Sequence, residues 1–175
     1  MPATTAGKEP EMIRRCTAAD IAIIESIINE AAARYRGAIP DDCFHEPYMS
    51  RADLESEIAA GVNFWGWEDR GELIGVMGVQ QVLDATLIRH AYVRKGQQGR
   101  GIGGALLESL KRQVTGPLLI GTWAAAEWAI RFYQAHGFRL VSTAEKDRLL
   151  GTYWTIPDRQ RDTSVVLSRP PIDTD

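Results

Sequence analysis

The chain has 175 residues, 45% of them hydrophobic and 25% charged. That suits one domain with a substantial core, and it excludes a wholly disordered, collagenous or coiled-coil protein. The net charge of −3 argues against nucleic acid as the main partner, because phosphate binding needs a basic surface.

The two cysteines, Cys16 and Cys43, make no disulfide framework in a chain of this size and read as reduced thiols. Met1 to Glu11 lacks the apolar segment of a secretory signal, and no stretch approaches the roughly 18 apolar residues of a membrane span. The expectation is a cytoplasmic protein with no membrane partner.

Residues 1–10 and 170–175 are polar or proline-broken and read as flexible tails around a single domain over 11–169. Met12 to Arg15 reads as a short strand. Thr17 with Asp20 signals a helix start, and Ile21, Ile24, Ile28 and Ala31 continue at helical spacing to about Arg36. An irregular polar segment, Gly37 to Met49, follows. Ser50 with Asp53 repeats the cap signal before a second short helix carrying Leu54 and Ile58. A meander of three strands comes next, over Asn63 to Glu68, Glu72 to Gln81 and Thr86 to Val93, with turns at Asp69-Arg70-Gly71 and Leu83-Asp84. Gly99 to Gly104 is a glycine-rich loop leading into an amphipathic helix that Gly116-Pro117 ends. Leu118 to Thr122 then completes a strand–helix–strand unit of parallel type. Ala124 to His136 reads as a helix with Gly137 at its C′ position. Arg139 to Ser142 and Thr163 to Ser168 read as closing strands around an excursion with a helical piece at Leu149 and Leu150. The sum is an α/β (α+β) fold, a mixed and mostly antiparallel sheet of six or seven strands with helices on both faces.

The segment Gln98-Gly99-Arg100-Gly101-Ile102-Gly103-Gly104 carries the most chemistry. Its glycines let backbone N–H groups approach an anion, and the helix behind presents its positive end. A plain glycine turn before a helix is the other reading. A dinucleotide-binding G-x-G-x-x-G pattern also fits the letters but not the context: the glycines do not follow directly on a strand, and no acidic residue ends the next one.

The spacing of Gln98, Gly101 and Gly103 resembles the Q/R-x-x-G-x-G/A pyrophosphate motif of the GCN5-related N-acetyltransferase (GNAT) superfamily. Ala129 to Phe138 resembles its A-x-x-x-Y-x-x-x-G-F segment, and the order of elements agrees over nearly the whole chain. The resemblance implies acetyl-CoA as co-substrate, with no metal, wedged between two splayed parallel strands ending near Val93 and Thr122. Main-chain groups of Ala91, Tyr92 and Val93 would pair with the pantetheine arm. Gln98 and the N–H groups of Gly99, Arg100, Gly101, Ile102, Gly103 and Gly104 would hold the pyrophosphate. The Arg100 side chain would add a charge-assisted contact or stand solvated. Tyr133 would be the general acid for the leaving thiolate. The resemblance also allows a homodimer.

The chain departs from that pattern at two places. Ala126 stands where many members have asparagine, and neither splayed strand carries a carboxylate to serve as base. His90 is the candidate base on these strands, competing with a packed core histidine and with a water chain. A bulge near the strand's end would decide its face. Arg89 needs an anionic partner: Glu46, Asp84 or a substrate carboxylate. Glu46, Arg89 and Trp123 are therefore candidates on the acceptor side, where the partner is a small-molecule or peptide amine. His45-Glu46 lacks a second ligand at metal-site spacing. A non-catalytic acyl-CoA-binding sensor is the alternative function.

Overall fold

The computed structural model describes residues 12–170, so the two expected tails fall outside it apart from Pro170. Seven strands form one sheet in the order β1-β2-β3-β4-β5-β7-β6. They are β1 (Met12–Arg15), β2 (Asn63–Asp69), β3 (Glu72–Val82), β4 (Ala85–Val93), β5 (Leu118–Trp123), β6 (Arg139–Leu140) and β7 (Ser164–Arg169). Every pairing is antiparallel except β4 with β5, which run parallel. The helices are α1 (Ile21–Ala32), α2 (Arg51–Ala59), α3 (Ile102–Gln113), α4 (Glu127–Ala135), α5 (Thr143–Tyr153) and α6 (Asp158–Asp162).

Strand alternation sorts the core into two layers. Ile74, Met77, Ile88, Leu118, Ile120 and Leu167 point to one face and pack with Leu106, Leu107 and Leu110 of α3 and with Tyr133 of α4. Leu73, Val76 and Phe64 point to the other and meet Ile24, Ile27 and Ile28 of α1 and Leu54 of α2. Leu87, Leu119 and Val166 extend that second layer beneath Leu149 and Leu150 of α5. Each such side chain contributes about 1.5–3 kcal/mol on full burial. Trp65 and Trp67, of equal strand parity, do lie on one face, beside the α3 layer.

Local signals account for most boundaries. Asp20 Oδ2 accepts from the Thr17 N–H at 2.7 Å, and Ser50 Oγ accepts from the Asp53 N–H at 3.1 Å, so both expected caps form. The first helix ends earlier than its apolar spacing suggests. After Ala32 the chain tightens into a 3₁₀ turn, Ala33–Tyr35, which delivers the Tyr35 ring to the sheet. The excursion after β6 holds two helices, α5 and α6, rather than one helical piece.

Two features of β4 position everything that follows. Its parallel pairing with β5 covers Thr86, Leu87 and Ile88 opposite Leu118, Leu119 and Ile120, and then stops. Beyond that point β4 stays with β3 and β5 with β7, so the two strands part. The second feature is a bulge at His90, where the register against β3 shifts between Val76 and Gly78 and His90 takes φ 53°. The bulge inverts the alternation. Ala91 and Val93 now share the α3 face with Ile88, while Tyr92 faces α1.

Candidate active site

The gap between β4 and β5 is the floor of a cleft at the C-terminal ends of these two central strands. On the α3 side the cleft opens as a pocket of about 300 Å³, lined by Ala91, Tyr92, Val93, Gln98, Gly103 and Tyr133 among others. It continues over the glycine loop, where Gly99, Gly101, Ile102, Gly103, Gly104 and His136 form the wall. Gly101 caps α3 at φ +77°, a left-handed conformation that favours glycine. The amide groups that open α3 therefore face this end of the cleft.

The predicted cofactor residues other than Arg100 thus line one cleft. Gln98 turns inward, its side-chain amide donating to the Val93 carbonyl at 3.3 Å. Arg100 is exposed and pairs locally: it donates to Gln97 Oε1 at 2.6 Å and lies 3.3 Å from Asp69. Ala126, in the asparagine position, is fully buried at the start of α4 beside Tyr35 and Trp123.

Tyr133 is 6% exposed and packs edge-on against Phe132 and Phe138, with ring centroids 5.0 and 5.7 Å away. Burial pushes its phenol above the ordinary value, and the neighbouring Tyr35 adds to the effect. The group is a proton-bearing donor throughout the neutral range.

On the far side of the gap lies a second pocket of about 520 Å³ between α2, the Asp42–Met49 segment and α6. Tyr48, Glu57, Arg89, His90 and Trp123 line it. Tyr35 lines both the cofactor-side pocket and a smaller one under Trp123, so an aromatic wall joins the two halves. In that wall the Tyr35 and Tyr92 hydroxyls are 3.3 Å apart, and the Tyr35 and Tyr48 rings are 5.2 Å apart.

The bulge sends His90 toward α2, where its ring stacks on Phe64 and its Nε2 is hydrogen-bonded to Glu57. Glu57 also lies 3.5 Å from the Arg89 guanidinium, which donates to Gln80 Oε1 at 3.0 Å. Arg89 therefore finds its anion in Glu57. Its expected partners are engaged elsewhere: Asp84 accepts from the Tyr153 hydroxyl at 2.6 Å, and Glu46 pairs with Arg36. That pair is exposed, and Glu46 is absent from the lining of both acceptor-side pockets. Burial acts to raise the Glu57 carboxyl, but the bond to His90 and the charges of His90 and Arg89 prevail and hold it below the usual value. Glu57 is the residue that sequence reasoning missed. Its strand partner His90 lies 33 positions away, and the only local sign was a polar position on a weakly amphipathic helix.

Among the described residues no group of three or more His, Cys, Asp or Glu is arranged to hold a metal, and no helix is long and apolar enough to cross a membrane.

A splayed parallel pair, a glycine loop at its mouth and a buried tyrosine on the helix behind meet in one cleft. Residues 60–140 match the family model described as acetyltransferase (GNAT) domain. The peptidyl-lysine N-acetyltransferase YiaC of Escherichia coli (strain K12) is 28% identical over 95 residues. The match covers 54% of this chain and 62% of that relative, so less than two thirds of the relative's length is spanned. The fold aligns with the PaiA N-acetyltransferase of Thermoplasma acidophilum, solved with coenzyme A, at a TM-score of 0.67, 17% identity, 91% of this chain and 98% of that one. It also aligns with YncA of Salmonella typhimurium, solved with acetyl-CoA, at a TM-score of 0.57, 24% identity, 76% of this chain and 82% of that one.

Proposed function

We propose that the protein is an acetyl-CoA-dependent N-acetyltransferase that acetylates a primary amine by direct attack. The observation that carries this reading is the parting of β4 and β5 after Ile88 and Ile120, with the glycine loop at one end of the gap and a second pocket at the other. A two-sided cleft suits two substrates that meet in the middle. Main-chain groups of Ala91, Tyr92 and Val93 pair with the pantetheine arm, as a strand edge would. The amides of Gly99 to Gly104 hold the pyrophosphate at the start of α3.

The amine comes from the α2 side, past Tyr48 and Trp123. Its nitrogen attacks the thioester carbonyl, the C–S bond breaks, and the amide forms. His90 receives the amine proton, directly or through water, and Tyr133 donates a proton to the departing thiolate. Burial keeps the Tyr133 phenol protonated at neutral pH, so the proton is in place, while the same shift makes it a weaker acid than a free tyrosine. Coenzyme A in PaiA and acetyl-CoA in YncA support the donor, and the lysine acceptor of YiaC supports an amine acceptor, small or peptidic. We place this activity in a single domain over residues 11–169, in the cytoplasm, with a homodimer compatible with it.

Thermal unfolding with and without acetyl-CoA, with NAD as control, tests the donor. Ligand at about 100 times its dissociation constant stabilises a fold by roughly 2.7 kcal/mol. Thiol release then screens amines, including a lysine peptide. Absence of any shift at millimolar acetyl-CoA would overturn the proposal.

A further inference from the structure

We infer that Glu57 is the positioning residue for His90, and that the two form a carboxylate–imidazole dyad serving the amine acceptor. The inference rests on the acetyltransferase reading above and assigns how its base is built. Four observations converge. The β4 bulge holds His90, a non-glycine residue, at φ 53°, a conformation that costs free energy and persists only where the surroundings impose it. The bulge turns the imidazole away from the α3 layer and onto α2. There Glu57 engages Nε2 with one carboxylate oxygen, while the other faces Arg89 at 3.5 Å. Phe64 stacks on the ring at 6.2 Å and 23°, which fixes its plane. Both residues line the acceptor-side pocket.

The chemistry follows from the acceptor-only nature of an ionised carboxylate. Glu57 accepts, so the hydrogen sits on His90 Nε2 and the lone pair sits on Nδ1. Nδ1 is then the basic nitrogen. When it takes a proton from the amine, the imidazolium that forms is stabilised by the adjacent carboxylate. The proton later leaves Nδ1 for solvent, the proton on the product thiol comes from Tyr133, and the phenolate left behind takes a proton back from solvent, so the exchange balances. Other groups bear on this pair. Asp53, one turn earlier on α2, is like-charged with Glu57, Arg89 on β4 opposes protonation of His90, and Tyr48 lines the same pocket from the segment before α2. Arg89 is offset by its own contacts to Glu57 and Gln80.

The dyad is tested with ¹⁵N-histidine-labelled protein, wild type and Glu57→Gln, titrated by NMR. Wild-type His90 should show the Nε2–H tautomer, and the substitution should shift the ring toward a mixture of the two tautomers. With acetyl-CoA and the amine that gives thiol release, Glu57→Gln should lower kcat by about 100-fold and leave KM for acetyl-CoA unchanged. The acid limb of its kcat/KM profile should move to lower pH. Glu57→Asp should recover part of the loss, and Glu57→Gln/His90→Ala should be no worse than His90→Ala. An unchanged His90 tautomer with an unmoved pH profile would overturn the dyad while leaving the acetyltransferase intact. A wild-type protein that neither binds acetyl-CoA nor turns over fails at the earlier reading, and the dyad's catalytic role falls with it.

Discussion

The indole N–H of Trp123 donates to the Tyr48 hydroxyl at 2.9 Å, fastening the end of β5 to the segment before α2. Trp123 is 7% exposed, so its N–H has no ready substitute in water. Tyr48→Phe removes the acceptor and keeps the ring that packs against Tyr35. The expected cost is about 1–3 kcal/mol for an orphaned buried donor, read from urea unfolding. KM for the amine should rise while acetyl-CoA affinity holds, because both rings line the acceptor-side pocket. Unchanged stability would mean that the indole finds another acceptor.

Tyr133→Phe keeps the ring contacts with Phe132 and Phe138 and deletes only the hydroxyl. Acetyl-CoA should still stabilise the variant, while kcat falls by about 100-fold. This separates an enzyme from a sensor that has no turnover to lose. The pH dependence has a defined sign. A phenol raised by burial stays protonated beyond the ordinary tyrosine value near 10, so loss of the acid contributes no alkaline limb below that pH. An alkaline limb near pH 8 that vanishes in Tyr133→Phe would contradict the raised phenol, though not the role.

Asp20 links the first strand to the first helix. Hydrogen bonds from Arg14 at 2.9 Å, and one from the Thr17 N–H, hold its carboxyl down at about 2, against an ordinary value of 3.8. A depressed carboxyl contributes stability that is present above the unfolded value and lost as pH falls through the folded one. Stability should therefore decline between about pH 4 and pH 2. Asp20→Asn should weaken the protein at neutral pH and flatten its acid dependence over that window, as followed by denaturant midpoints.

The caps at Thr17 and Ser50, the meander, the glycine loop and the strand–helix–strand unit were legible because each rests on neighbours within a few positions. The meeting of Gly99 to Gly104 with Tyr133 is not local, and it was expected from the family resemblance alone; it depends on α3 and α4 packing on one face. What sequence could not supply was the pairing across layers. Whether Arg89 meets Glu46, Asp84 or Glu57 depends on the crossing of α2 over β4, and that crossing is set by Leu54 docking against Ile24 and Phe64 rather than by any local pattern. The face of His90 was open for the same reason: one extra residue in a strand reverses every side chain beyond it. Arg100 shows a third limit. A loop arginine reads as solvated or phosphate-bound until the turn between β2 and β3 brings Asp69 within reach.

The junction of α3 and α4 offers a test of the cofactor end. A Cβ on Gly104 would meet His136 Cε1 at 3.0 Å and Nε2 at 3.2 Å. The imidazole is not free to retreat. Its Nδ1 is 3.1 Å from Glu108, Lys111 holds that same carboxylate at 2.8 Å, and Lys111 also donates to the His136 carbonyl at 2.9 Å. The ring also packs on Phe132 at 4.8 Å, and Phe132 lines the cleft. Gly104→Ala should therefore displace His136 and Phe132 into the cofactor path. The expected result is a loss of about 1–3 kcal/mol from overpacking, with weaker acetyl-CoA binding by calorimetry. Gly104→Ala/His136→Ala should regain part of both losses, since the second change reopens the space that the first one fills. If the double variant binds no better than Gly104→Ala alone, the crowding lies in the loop backbone and not at the imidazole.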